Sequence, residues 1–545
     1  MSIDRTDRID QTPEAVADAG IRLEALTRRG ASRRDVLRAL AAGSMMSLTG
    51  AGLLAASGSA LAQTAKPKQG GRIRVATQSA SAADTLDPAK GALGTDYVRA
   101  NMFYNGLTEL DSHLGAKLAL AESLDTKDAI VWVVKLRNGV QFHDGKALAP
   151  ADVTYSLLRH KDPATASKAK TLADQIKDAK ATGPNEVTIT LEGANADLPV
   201  ILATSHFLII KDGTTDFKTA IGTGPFKVKE FSPGVRTVGV RNEKYWKPGM
   251  PHLDEIELIG IGDEPARVNA LLSGDVQLIN AVSPRSTDRI KGTSGFTVLE
   301  TKTGQYTDLI VRDEGGITGN PDFRRGMMYL MDREQIRRAV FRGYGAIGND
   351  QPIDPTNKYY LAGLPQRAFD PAKAKFHFQK AKLGSAPVQI FASPAAEGSV
   401  DMAMLLQQVA PQAGLNLQVQ RVPADGYWSN HWMKHPLGFG SVNARPSADV
   451  LFTQFFKSDA PWNEANWKSP KFDQMLLAAR GEPDDAKRKQ IYGDMQTLVH
   501  EDGGIGIPLF QSSLDAHTSK LKGLGSIPLA GLMGFAFAEN VWLDA

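Results

Sequence analysis

Ile73 and Val75 alternate with arginines in Arg72-Ile73-Arg74-Val75, and Val187, Ile189 and Leu191 repeat the same period of two, so both stretches are expected to be strands with one buried face. Other segments follow the helical period. Val98, Met102 and Leu107 predict a helix over 97–107, and Val153, Leu157 and Leu158 predict one starting at Ala151, behind a proline suited to a first turn. Between them, two β-rich runs in 131–145 meet at Asn138-Gly139, a strong short-range hairpin signal. A second hairpin is expected where 222–228 and 235–241 flank Ser232-Pro233-Gly234.

The later chain alternates strand and helix. Strand 256–261, helix 264–274 and strand 276–279 read as a βαβ unit, as do strand 388–391, helix 401–413 and strand 415–422. Long amphipathic helices are expected over 323–342, 371–382 and 486–500, the last leading into a strand at 505–510. The pattern predicts two α/β lobes with extended connections in preference to one barrel.

Composition narrows the function. The chain has 545 residues, and 63 Lys plus Arg against 60 Asp plus Glu give a formal charge of +3, too balanced for a nonspecific nucleic-acid binder. It contains no cysteine, which excludes disulfides, thiolate-bound zinc, thiol catalysis and a lipid-modified cysteine anchor.

Residues 1–62 read as an address. Ser32-Arg33-Arg34-Asp35-Val36-Leu37-Arg38, a weakly apolar stretch to Ser59 and Ala60-Leu61-Ala62 match a twin-arginine signal peptide cleaved near Ala62. Gly43, Ser44, Ser47, Gly50 and Gly52 lower its apolarity below that of a membrane span. The expected destination is the periplasm.

Residues 132–156, WVVKLRNGVQFHDGKALAPADVTYS, resemble the signature of the bacterial extracellular solute-binding protein family 5, the periplasmic peptide, nickel and opine receptors of ABC importers. Further segments follow in the family's order: IGTGPFKV from Ile221, RNEKYWKPGMPHLDEIEL from Arg241, PDFRRGMMYLMDREQIRRAVFRGYG from Pro321, FDPAKAK from Phe369 and KSPKFDQML from Lys468. The resemblance implies an α/β, two-lobe periplasmic-binding-protein fold (type II, cluster C-like) with an extra subdomain inserted in lobe I. Lobe I is then expected over 63–112, 222–312 and 507–545, the inserted subdomain over 113–221 and lobe II over 313–506, with hinge crossings near 307–319 and 504–512. The implied partners are a small-molecule solute and inner-membrane permease subunits, with a monomeric receptor, no nucleic acid and no cofactor.

In peptide-binding members a lobe II loop supplies an aspartate to the peptide's α-ammonium, and Arg445 stands where that aspartate would be. The charge is reversed, so a carboxylate or phosphate is favoured over a cationic terminus. The register is uncertain by a residue or two, and Asp449 is close enough to be the aligned acid instead. The expected ligand-binding set is Arg445, Asn443, Ala444, Tyr104, Asn105, Trp462, Asn463, Glu464 and Tyr427, although packing roles are open for Tyr104, Trp462, Glu464 and Tyr427, and Arg445 has the alternative of pointing away or bonding the backbone of its own loop. A general di- or oligopeptide receptor is the nearest alternative and a secreted hydrolase a distant one. Catalytic signals are weak: His431 and His435 have ligand spacing but no HExxH, Ser167 to Lys170 fits S-x-x-K without partner motifs, His143-Asp144 reads as a structural turn, and no G-x-S-x-G occurs. No enzyme activity and no metal are expected.

Overall fold

A computed structural model describes residues 66–544. The expected leader, 1–62, lies outside the described residues. The spine of the protein is a ten-stranded mixed sheet. Arg72–Thr77 lies between Glu255–Gly260 and Leu278–Ile279 and runs parallel to both. Helix Glu264–Leu272, capped by the Asp263 carboxylate, makes the crossover between those two neighbours, as the βαβ reading requires. The hairpin Phe226–Ser232 and Arg236–Arg241 extends one edge.

On the other side, Leu278–Ile279 pairs with Leu509–Thr518, which pairs with the 16-residue strand Phe296–Val311. That strand slips register between Lys302 and Tyr306, and beyond the slip Tyr306–Val311 pairs with Leu437–Val442. One continuous sheet thus passes between separate apolar cores. Ile73, Phe103, Phe226, Ile256 and Phe537 pack on one side of the slip, while Leu309, Phe323, Phe378, Ile390 and Phe439 pack on the other, beside a cluster around Tyr306, Phe452, Phe472 and Tyr492. Each such side chain taken from water contributes roughly 1.5–3 kcal/mol. A third body forms on the antiparallel sheet Ala121–Thr126, Val131–Leu136, Glu186–Leu191 and Ile176–Gly183, with Trp132, Val134, Ile189, Leu157 and Phe207 inside.

Two expectations are corrected. Asn138-Gly139 makes a turn, with Gly139 at φ +79°, but no hairpin. Both edges of Val131–Leu136 are already occupied, by Ala121–Thr126 and Glu186–Leu191, so the following run makes only the isolated bridge Gln141 to Ala147 and buries Val140 and Phe142. The long helix expected over 323–342 is two helices, Pro321–Tyr329 and Arg333–Ala339. Asp332 breaks it by capping the second helix through the Gln335 N–H. Among the described residues no helix is long and apolar enough to cross a membrane.

Candidate functional site

Strand Leu437–Val442 ends in the loop 443–447, which feeds helix Ala448–Phe455. Arg445 is fixed within that loop. Its Nε donates to Gln454 Oε1 at 2.8 Å, Nη1 donates to the carbonyls of Asn443 and Ala444 at 3.0 and 3.4 Å, and its guanidinium lies 5.5 Å over the Phe455 ring. Nη2 has no partner among the described residues. Partial burial lowers the Arg445 pKa, opposed by the nearby Tyr306 and Tyr97 phenols. A guanidinium held on three sides with one free edge is preorganised for an anionic oxygen.

Arg445 lines a narrow cavity with Gly304, Pro352, Ile353, Asp354, Asn357 and Ser447, enclosing about 10 Å³. Gly304 sits in the register slip of Phe296–Val311. Asp354 is 4% exposed; its Oδ1 accepts from the N–H and hydroxyl of Thr356, and burial raises its pKa. Within electrostatic reach of Arg445 is Tyr97, on helix Gly94–Phe103, whose ring packs 5.2 Å from His206 and 5.3 Å from Phe535. That helix is anchored by buried Arg99, which binds Asp84 at 2.6 Å, Asp96 at 2.8 Å and Thr237 at 2.9 Å.

The two sides also touch beside the cavity. Asp197, on the segment leading out of the four-stranded sheet, accepts hydrogen bonds from the Ser447 hydroxyl and the Arg488 guanidinium, and all three residues are buried. Next to them the Ala196 N–H donates to the Arg480 carbonyl at 2.9 Å. Arg488 is stacked between Tyr359 and Tyr492, 5.2 and 5.9 Å from their ring centres.

Residues 116–464 match the family described as "Bacterial extracellular solute-binding proteins, family 5 Middle". The chain belongs to this family. Its members bind solutes and work with ABC permeases. The chain is 25% identical over 478 residues to the glutathione-binding protein GsiB of Escherichia coli K12, covering 84% of this chain and 92% of that one. Its fold is similar to that of DppA from Helicobacter pylori, a periplasmic binding protein solved with the peptide STSA, at TM-score 0.71, 21% identity and coverage of 88% and 99%. It is also similar to AgaA of A. tumefaciens R10, solved with agropinic acid, at TM-score 0.69, 21% identity and coverage of 87% and 99%. The architecture is thus the two-lobe type II periplasmic-binding-protein fold.

Within this family-5 protein the residues expected to bind solute occupy different places. Arg445, Asn443 and Ala444 share the cavity loop, with Asn443 exposed and Ala444 half-buried. Trp462, 39% exposed, packs on Phe455, the ring beneath Arg445. Asn463 instead braces its own loop, donating to the Lys457 and Trp467 carbonyls and accepting from the Trp467 N–H. Glu464 points inward. It accepts from Trp432 Nε1 at 2.6 Å and lies against Asp308, and burial raises both carboxyl pKa values. Glu464 therefore does not share a face with Arg445.

Tyr104 and Tyr427 are both 2% exposed, and their hydroxyls donate to the Leu86 and Phe439 carbonyls. Asn105 is buried among Tyr245, Thr223 and Trp246. Asp449 turns from the cavity to Arg480 at 2.9 Å, and burial pushes its carboxyl up to about 6. His431 and His435 hydrogen-bond each other at 3.1 Å. Sequence reasoning missed Tyr97, Asp354 and Asp197. The helical period passed over Tyr97 as one position in a helix, and only Asp354-Pro355-Thr356, a turn-forming triplet, marked the second.

Proposed function

We propose that this protein is the periplasmic substrate-binding component of an ABC importer, and that it captures a small anionic or zwitterionic organic solute, opine-like or a modified amino acid, between its two lobes. The observation that carries this reading is the fixed guanidinium of Arg445, with one edge unspent, beside the register slip at Gly304 where the sheet passes from one core to the next. An arginine so constrained loses little further conformational freedom when a carboxylate docks on it. Solute enters while the lobes are apart. Closure about the register slip at 302–306 then surrounds it, and the Asp197 contacts with Ser447 and Arg488 hold the closed form.

The closed receptor delivers its solute unchanged to the permease as a monomer, after export by the twin-arginine route and cleavage near Ala62. The GsiB and AgaA likenesses support a compound with a free carboxylate, and the reversed charge at Arg445 disfavours ordinary peptides anchored by their ammonium end. The test is mass spectrometry of small molecules carried through native purification, followed by calorimetric titration of each hit into wild type and Arg445→Ala. A loss of about tenfold or more for anionic hits is expected, as for a charge-assisted hydrogen bond. Unchanged affinity removes Arg445 as the anchor, and preferential binding of unmodified di- to pentapeptides favours the oligopeptide reading.

A further inference from the structure

An open groove of about 460 Å³ shares no residue with the Arg445 cavity and is walled by two different cores. One wall is helix Thr287–Lys291, whose Ile290 packs with Val268, Leu271 and Ala516. The other is the end of helix Arg333–Ala339 and the turn after it, whose Ile336 and Phe341 pack with Phe323 and Phe378. Four arginines fall in 333–342, and they divide by partner. Arg333 is held by Asp350 at 2.6 Å and Arg337 by Glu334 at 3.0 Å, whereas Arg338 and Arg342, the two that line the groove, are exposed and have no hydrogen-bond or carboxylate partner among the described residues. Arg342 sits at φ +53°, a left-handed conformation uncommon outside glycine, and the turn closes through the Gly343 N–H on the Arg337 carbonyl at 2.9 Å. An uncommon backbone conformation that sets like charges side by side is an outlier from which function is inferred. Across the groove the Lys291 ammonium donates to the Tyr344 hydroxyl at 2.8 Å and keeps two N–H groups. Of the two carboxylates in the lining, Glu300 is engaged, its Oε1 accepting from the Gly345 N–H at 3.1 Å and the Ser512 hydroxyl at 2.6 Å, and Asp288 is exposed. The groove is therefore net positive, with the excess on the Arg338 and Arg342 wall.

We propose that this groove binds a soluble polyanion, one with two or more phosphate or carboxylate groups, which Arg338 and Arg342 grip from one core and Lys291 from the other. Guanidinium forks match the paired oxygens of such groups, and a single anionic group would neutralise only one of the three cations. A guest held from both walls favours whichever lobe arrangement keeps the walls at this spacing, so the groove is a regulatory site separate from the solute cleft.

The test is calorimetric titration of the chain, with no organic solute present, with pyrophosphate, citrate and inorganic phosphate at low and at physiological ionic strength. Pyrophosphate and citrate are expected to bind at one site, about tenfold more tightly than phosphate, and more weakly as salt screens the pairing. The double variant Arg338→Gln with Arg342→Gln is expected to lose about tenfold or more and Lys291→Met about threefold, while Asp288→Asn binds more tightly. Thermal unfolding midpoints confirm that each variant is folded. No saturable binding to wild type, or binding that the arginine double variant keeps, overturns the site. Loss with the arginines but not with Lys291→Met overturns the bridge between cores. Retention on phosphatidylglycerol vesicles that the double variant loses, without pyrophosphate binding, makes a membrane surface the source of the anion and overturns the soluble guest. Each of these outcomes leaves the solute reading of Arg445 as it stands, because the titrations contain no solute.

Discussion

Asp197 offers the sharpest test of the closing motion, because its two partners belong to the opposite core. Asp197→Ala removes the acceptor for the Ser447 hydroxyl and the Arg488 guanidinium at once. Arg488 is then left between Tyr359 and Tyr492 with no ion-paired carboxylate, only the more distant Asp449 and Asp485, and its Nε already lacks a partner. Removing one member of a buried ion pair costs about 3–5 kcal/mol. Here that cost falls on the contact between bodies, since opening the lobes returns Arg488 to water. About 3 kcal/mol is roughly 150-fold in an equilibrium constant, so the open form of Asp197→Ala should dominate without solute and apparent solute affinity should fall with the closed fraction. Small-angle scattering should give a larger radius of gyration for the variant than for wild type at equal solute, converging only at high solute. A double-mutant cycle with Arg488→Leu should show strong coupling. Scattering and affinity unchanged in Asp197→Ala, or additive losses in the cycle, would refute the idea that these contacts hold the lobes together.

A second expectation concerns pH. Asp515 is fully buried, its Oδ2 accepts only the Leu532 N–H at 2.6 Å, and burial pushes its carboxyl up from 3.8 to about 7. The folded chain therefore holds a proton that the unfolded chain has released, and this group's contribution to stability declines as pH rises from about 4 to about 7, then levels off. Asp515→Asn should remove that slope, measured as the difference in urea midpoint between pH 5 and pH 8; an unaltered slope sinks the assignment. Packing gives a third. A Cβ on Gly224 would lie 2.3 Å from the Phe103 carbonyl carbon and 2.6 Å from the Tyr104 nitrogen, so Gly224→Ala should destabilise by about 1–3 kcal/mol or more, since backbone must move. Chemical denaturation reads it, and a loss below about 0.5 kcal/mol would contradict the clash.

Much of the fold was legible because its cores obey simple periods. Ile73 and Val75, the hairpin at Ser232-Pro233-Gly234 and both βαβ units carry their pattern in adjacent residues. The failures have different causes: at the hairpin a local signal was overruled by distant partners, whereas the helix over 323–342 was cut by the local cap of Asp332 on Gln335. Asn138-Gly139 bends the chain as its residues demand, but strands from 121 and 186 fill the places a hairpin partner would take. The strand Phe296–Val311 escaped notice because Glu300, Lys302, Gly304 and Asp308 interrupt its apolar run where it passes from one core to the next. At the site, Arg445 was visible through the family's loop pattern. Tyr97 and Asp197 were not, since only folding sets them near loop 443–447, and the inward turn of Glu464 depends on Trp432, 32 residues away.

Arg445 and Ser447 stand two residues apart on one loop, so if the proposed anchor holds, one grips the guest while the other fastens the halves through Asp197. On that proposal, grip and release are geared to a single moving part. A change that tightens the fastening also lengthens the guest's stay, so the membrane pore would be fed more slowly, and the throughput of uptake limits how firmly this receptor can hold what it catches.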